Sequence, residues 1–431
     1  MRTGFDAIII GAGPAGSSAA ILLALAGWSV VLIEKQSFPR RKVCGECIAA
    51  SNLPLLEALG IGAALEAHAG PALRRLALMR GERLIEADLP PAAHQKYRWG
   101  RALGRELLDT LLLERARSVG VHVLQPWSAQ SIEGQAGDWR CTVRAVDRHT
   151  GVTLHAPVAI AAYGSWEAPP AGRPPRRPTH GAADLLAFKA NFRGAALDEG
   201  LLPVLSFDGG YGGMVMAGGG TATVACCIRR DRLDACRRAA PGRSAGDAIE
   251  ALLRRDCGGA RIALEGASRD GAWLAAGPLD PGIRLRAGDD LFCIGNAAGE
   301  AHPIIGEGMS MALQSAWMLC AHLLDDARRA RMPEALWQRD VGRRYAAQWR
   351  RHFAPRLRLA AAFANAAMRP ASAALLLALG RAWPGFLTLG ASWGGKAHCA
   401  IDPAAMAALA THPLQDGPPA AAARHHPHDS V

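Results

Sequence analysis

No apolar run in this 431-residue sequence is both long enough and unbroken enough to cross a bilayer. Residues 7 to 33 come nearest at the start, but Gly11, Gly13, Pro14 and Gly16 fall where a spanning helix has to be continuous. The same interruption argues against a secretory leader, whose apolar stretch is unbroken and ends at a small-residue cleavage site. Cysteine lacks framework spacing. The single CxxC, Cys44 to Cys47, has no partner pair, and the adjacent Cys226 and Cys227 do not have ligand spacing, so neither a disulfide scaffold nor any metal site is expected. No helix-turn-helix, zinc-finger or RNP-like pattern occurs, which removes nucleic acid as a partner. The expectation is a cytoplasmic protein with reduced thiols.

Lysine is also scarce, so the net charge of +11 comes mainly from arginine spread through the chain. Such a balance favours anionic ligands such as phosphates, or an anionic surface. What the sequence does contain is concentrated in its first 34 residues. FDAIII reads as a short strand that stops at GAGPAG, SSAAILLALAG as a helix, and SVVLIE as a second strand ending on Glu34. Gly11, Gly13 and Gly16 have GxGxxG spacing: one for the sharp turn, one for close backbone approach to a pyrophosphate, one for helix–sheet packing. The helix N-terminus, with Pro14 and Ala15 in its first turn, offers N–H groups and partial positive charge to phosphates. Glu34 lies where a carboxylate accepts the ribose hydroxyls of an adenosine.

After Glu34 comes a basic, Pro-broken loop and a helix ending at Gly60. Residues 71 to 90 read as a strand pair turning at RGER, and LGRELLDTLLLERARSVGV as an amphipathic helix. WRCTVRAVD, GVTLHA and PVAIAAYG read as strands, and 167 to 178 as a Pro- and Arg-rich crossover. Strands then dominate 181 to 275, with one helix near Ser244 to Asp256. DLFCIG next runs into a Gly-rich loop and a long helix from about Gly308. The expected fold is α/β: a Rossmann-like nucleotide-binding domain (1–70, 95–170 and 276–330) with an inserted β-sheet substrate domain (71–94 and 171–275). C-terminal helices (331–410) and a disordered, histidine-bearing tail (411–431) complete it. RLRLAAAFANAAMRPASAALLLALGRAWPGFLTLGASW, broken at Pro370 and Pro384, reads as helices that cap the core or form a lid; a surface for peripheral membrane contact is the second reading.

With these motifs in order, residues 1 to about 330 resemble the FAD-dependent monooxygenase and geranylgeranyl reductase superfamily. GAGPAG with Glu34 matches its FAD pyrophosphate and ribose motif, and FPRRKVCGECIAASN its basic loop and CGE segment. LGRELLDTLL matches its RxxLDxxL helix, which places Arg105 on FAD, with Arg101 the rival. A cation in a helix's first turn opposes the macrodipole and so also calls for an anion nearby. CIGNAAGEAHPIIGEGMSMALQSA matches the family's ribityl and isoalloxazine motif. The resemblance implies an FAD site contacted by Lys35, Arg41, Cys44, Gly295, Asn296, Pro303, Gly306, Glu307, Gly308 and Met309. It also implies a small apolar substrate, and NAD(P)H or a separate electron donor. Asn296 stands where the family has an acid, and Tyr163-Gly164 where it has DG.

Cys47, Glu46, Glu300 and His302 are the candidate catalytic residues: Cys47 as proton donor or buried structural thiol, the two glutamates as acid or base or as caps, His302 as catalytic or structural. Neither the reductase YxWxFP motif nor the halogenase WxWxIP is present, although Tyr211 survives. The leading expectation is a monooxygenase working through a flavin hydroperoxide on an apolar, aromatic or polyketide-like substrate. The alternatives are a reductase of prenyl or lipid-like double bonds, and a flavin-binding accessory protein without turnover.

Overall fold

Ala7–Ile10, Val30–Ile33 and Val158–Ala161 are four-residue strands buried along their whole length. Continuous apolar runs of this kind suit a parallel sheet covered on both faces. They form the centre of a five-stranded parallel sheet in the order Phe292–Cys293, Val158–Ala161, Ala7–Ile10, Val30–Ile33, His122–Leu124. The helix Pro14–Leu25 packs between Arg105–Ser118 and Gly308–Leu323. Chain ends of the central strands therefore converge on one edge, the usual ligand position in open α/β sheets. The computed structural model describes residues 2–147, 150–165, 181–239, 241–286, 290–325 and 329–393. All of the expected crossover at 167–178 and of the tail at 411–431 lies outside them.

Two further sheets build on this frame. Trp127–Gln135, Asp138–Ala145 and Gly151–Ala156 make an antiparallel three-stranded sheet, with Trp139, Cys141, Val143 and Ala145 alternating inward. The first of its strands is absent from the sequence reading, because WSAQSIEGQ carries little apolar alternation. The large sheet has seven strands in the order Ser268–Ala276, Leu185–Arg193, Thr221–Arg229, Gly210–Ala217, Leu201–Phe207, Arg75–Arg80, Arg83–Asp88. All its pairs are antiparallel except Leu201–Leu205 with Arg75–Met79. The strand pair at 75–88 thus joins a sheet whose other strands begin only at Leu185.

One face of that sheet is covered by Arg230–Ala239, Ala245–Asp256 and Gly258–Ala263. Only the middle helix is expected from sequence; Ser244 Oγ caps it by accepting the Asp247 N–H at 3.1 Å. The C-terminal part is helical, as Glu334–Met368, Pro370–Ala382 and Gly385–Trp393, with the breaks at the anticipated prolines. No single described helix is long and apolar enough to cross a membrane.

Candidate active site

The glycine loop is shaped by contacts that admit no side chain. A Cβ on Gly16 would lie 1.9 Å from the Gly11 carbonyl oxygen, and Gly11 itself has φ +102° with Ala162 O only 2.6 Å from where its Cβ would be. Helix and strand can approach this closely only through glycine. Gly13 is different: its Cβ would meet nothing nearer than Arg105 Nη2 at 3.8 Å, so it faces open space bounded by a cation. No side chain caps the helix at Gly13. Glu34, buried at the end of the second strand, accepts the Ala12 N–H at 3.0 Å and the Gln36 N–H at 2.9 Å, which ties it to the loop.

Arg105 lies beside this loop, and the anion its position calls for is in the chain itself. Its Nε and Nη2 donate to buried Asp109 at 2.7 and 2.8 Å. Burial alone would lower the guanidinium pKa, but the charge and hydrogen bonds of Asp109 outweigh it, so the cation is held firmly charged. Arg101 instead donates to the Ala69 and Gly70 carbonyls.

A cavity of about 350 Å³ opens from Gly13, Pro14 and Ala15. Its lining also includes Lys42, Cys44, Gly45, Glu46, Cys47 and Arg105, together with Gly164, Ser165, Gly295, Asn296, Gly306, Gly308 and Met309. It ends against Leu76, Leu78, Leu202, Val204 and Met214 of the large sheet, under Phe363, Leu376, Phe386 and Leu387 of the C-terminal helices. Gly308 starts the helix Gly308–Leu323 with no side-chain cap and with nothing within 4 Å of where a Cβ would be. Its N–H groups and dipole therefore face the cavity.

Of the two departures in sequence, Asn296 lines the cavity, and of the Tyr163-Gly164 pair Gly164 lines it while Tyr163 packs against the hydrophobic core. Asn296 Nδ2 donates to Ser165 Oγ at 2.6 Å, joining the ends of two strands of the parallel sheet, and both residues line the cavity. An amide can donate where a carboxylate could only accept, so Asn296 and Ser165 form a neutral pair that still presents polar atoms to the cavity.

Several expected site residues have other duties. Glu46 is buried in a left-handed conformation, φ +57°, unusual for a residue other than glycine. Its Oε1 accepts the Arg105 N–H at 2.8 Å and pairs with Lys189, and its Oε2 accepts from Thr223 Oγ1. Both oxygens are thus spent on joining the Cys44–Cys47 loop to the Arg105 helix and to the large sheet, and the acid–base role gives way to an anchoring one. Glu300 likewise accepts from Arg284 Nη2 at 2.8 Å, an ion pair that leads away from the cavity it borders.

His302 does not line the cavity; its Nδ1 lies 3.2 Å from the hydroxyl of Tyr211, which does. Burial lowers the His302 pKa, with nearby Glu300 opposing, so the ring sits neutral beside that hydroxyl. Glu307 is buried against Arg356 at 3.2 Å, behind the helix start rather than at its open face. Arg41 spans the surface between Glu106 at 3.0 Å and Asp270 at 3.1 Å, while its neighbour Lys42 takes the cavity position; Lys35 lies outside the lining. Among the described residues no cluster of His, Cys, Asp and Glu could hold a metal ion.

These residues fit an FAD: a glycine turn and helix start for a diphosphate, a carboxylate for the ribose, a paired arginine, and a second open helix N-terminus further along one cavity. The family model described as FAD binding domain matches residues 4–348. The menaquinone reductase of Mycobacterium tuberculosis is 29% identical over 355 residues, covering 78% of this chain and 81% of that protein. Among solved structures, a variant of the flavin-dependent brominase Bmp2 superposes with a TM-score of 0.71 at 16% identity, over 94% of this chain and 97% of the other. A geranylgeranyl bacteriochlorophyll reductase-like protein from Thermoplasma acidophilum gives 0.63 at 16% identity, over 91% and 99%. Likeness at these identities is one of fold.

Proposed function

The chain belongs to the FAD binding domain family and is an FAD-dependent oxidoreductase, and from that premise we propose that it reduces an apolar, quinone- or isoprenoid-like molecule. One observation carries this reading. The cavity that includes the glycine loop is also lined by Leu76, Leu78, Leu202, Val204 and Met214 of the large sheet and by Phe363 and Phe386 of the C-terminal helices. A site of this kind binds a hydrophobic body and excludes water. A relative matched over 78% of the chain is named a menaquinone reductase, which supports reduction rather than the oxygen insertion expected from sequence.

Bound FAD supplies the electron pair. The chain supplies the rest. Gly13 and the first turn at Pro14 and Ala15 would hold the diphosphate in a turn whose close packing Gly11 and Gly16 permit, and Glu34 would meet the ribose. Arg105, kept charged by Asp109, balances the phosphates. Asn296 and Ser165 would meet the ribityl chain, and the helix start at Gly308 and Met309 would offer N–H groups that favour negative charge on the ring. Cys47 lines the cavity at the edge of the apolar half and carries a proton on Sγ that a substrate atom can take. Glu46 and Lys189 fix the loop that carries it.

The test is product mass. With the enzyme's FAD photoreduced and no free reductant left, menaquinone as substrate and oxygen absent, one equivalent of product should gain two hydrogens as the flavin reoxidises, and none should form without the protein. A product that forms only in air and carries an oxygen atom from the gas would overturn the reading in favour of a monooxygenase. A protein that binds FAD but turns over neither way would support the accessory alternative.

A further inference from the structure

The last two described helices have two working faces. Pro370–Ala382 buries Ala373, Leu377 and Gly380 and turns Leu376 to the cavity, while Gly385–Trp393 contributes Phe386, Leu387 and Gly390 to the same lining. On the other side the same helices leave Leu375 60%, Trp383 58% and Trp393 64% exposed, with Leu379 and Leu389 between them. Leu375 and Leu379 lie one turn apart on the helix Pro370–Ala382 and so share a face, and Trp383 follows at that helix's C-terminal cap. Several large apolar side chains exposed on two neighbouring helices mark a candidate interaction surface.

Charge identifies the partner. No aspartate or glutamate occurs between Asp340 and Asp402, whereas Arg351, Arg358, Arg369 and Arg381 all lie exposed in this stretch. Exposed leucine and tryptophan in a stretch that carries arginine and no acid of its own suit helices lying in the plane of an anionic bilayer surface, with Asp88, whose carbonyl accepts from Thr388 Oγ1, an exposed acid that adjoins them. The two helices Glu334–Met368 and Pro370–Ala382 meet at a bend of 107°, and neither alone is long and apolar enough to cross the bilayer.

We propose that this face docks the protein peripherally on anionic lipid, with Leu375, Leu379, Trp383, Leu389 and Trp393 inserted and Arg369 and Arg381 at the headgroups. The outer surface of the cavity's helical cover would then rest on the bilayer, and a lipid-like substrate would pass inward between these helices. That second clause rests on the function proposed above; the docking itself does not.

Cosedimentation of the FAD-loaded enzyme with vesicles tests it without turnover. Binding to phosphatidylcholine–phosphatidylglycerol vesicles should be at least about tenfold tighter than to phosphatidylcholine alone. Leu379→Glu with Trp393→Glu should weaken it about tenfold or more while leaving flavin content unchanged. Arg369→Ala and Arg381→Ala should each cost about fivefold, on the anionic vesicles only. Absence of binding to either vesicle overturns the proposal, as does binding indifferent to all four substitutions. A concentration-dependent dimer dissolved by the same changes, without vesicle binding, would assign the face to a second copy instead. If vesicles bind but menaquinone is not reduced, docking stands and the reductase reading falls; if a short-tailed soluble quinone is reduced but vesicles do not bind, the reverse holds.

Discussion

The two ends of the cavity are built on opposite principles. At the inner end the contacts are made by backbone and by the absence of side chains: Gly16 against Gly11 at 1.9 Å from a would-be Cβ, Gly11 against Ala162, Gly308 before open space. At the outer end the surface consists of side chains from three strands and three helices, among them Leu78, Leu202, Val204, Met214, Phe363 and Leu387. Backbone contacts permit almost no exchange, whereas an apolar lining is defined by volume and polarity and tolerates many sequences. The inner end should thus be recognisable across wide divergence and the outer end should drift, which agrees with relatives that share the fold at 16% identity.

The comparison can be broken at its seam, where Glu46, Lys189 and Thr223 join the two ends. Lys189→Met leaves the Glu46 carboxylate buried without its cation and should cost about 3–5 kcal/mol of stability, read by denaturant unfolding. Next is Gly16→Ala, which has no room for its methyl group. It should lower stability by about 1–3 kcal/mol and release flavin on gel filtration. Leu78→Met, at the outer end, keeps volume and should cost less than about 1.5 kcal/mol while flavin content stays full and only substrate preference changes. If Leu78→Met lost flavin as readily as Gly16→Ala, the two ends would not be separable.

The smallest effect concerns pH. Burial holds the His302 pKa below its ordinary value of 6.5, so the unfolded chain takes up that proton first as pH falls. His302 therefore costs stability progressively below about pH 6.5 and nothing well above it. His302→Gln should flatten that part of the stability profile in thermal unfolding between neutral and mildly acidic buffer.

The same division explains what could be read in the sequence. The strand, glycine loop, helix and Glu34 are local, each residue type set by a contact with its neighbours in the chain, and Gly295 to Met309 repeat that logic at the second helix start. Arg105 could be placed from its helix, and Asp109, one turn on, is its visible partner. By contrast, Glu46 and Lys189 are 143 residues apart, and nothing near either announces the other; CGE in isolation suggests an acid, not an anchor. His302 is adjacent in sequence to cavity residues but its ring turns to Tyr211, a side-chain direction that motif order does not contain. The helices Arg230–Ala239 and Gly258–Ala263 were missed because they are short and flanked by strands, and packing on the sheet rather than propensity stabilises them.

The most direct test of a single cavity with a flavin end and an apolar end is anaerobic reoxidation of the reduced enzyme by a menaquinone, followed by flavin absorbance in the native protein and in Val204→Trp. Val204 lines the outer half, and an indole there fills the substrate space without touching the glycine loop. The expected result is rapid reoxidation in the native enzyme and its loss in the variant at full flavin content. Equal reoxidation in both, or a flavin that stays reduced in both until oxygen is admitted, would contradict the account.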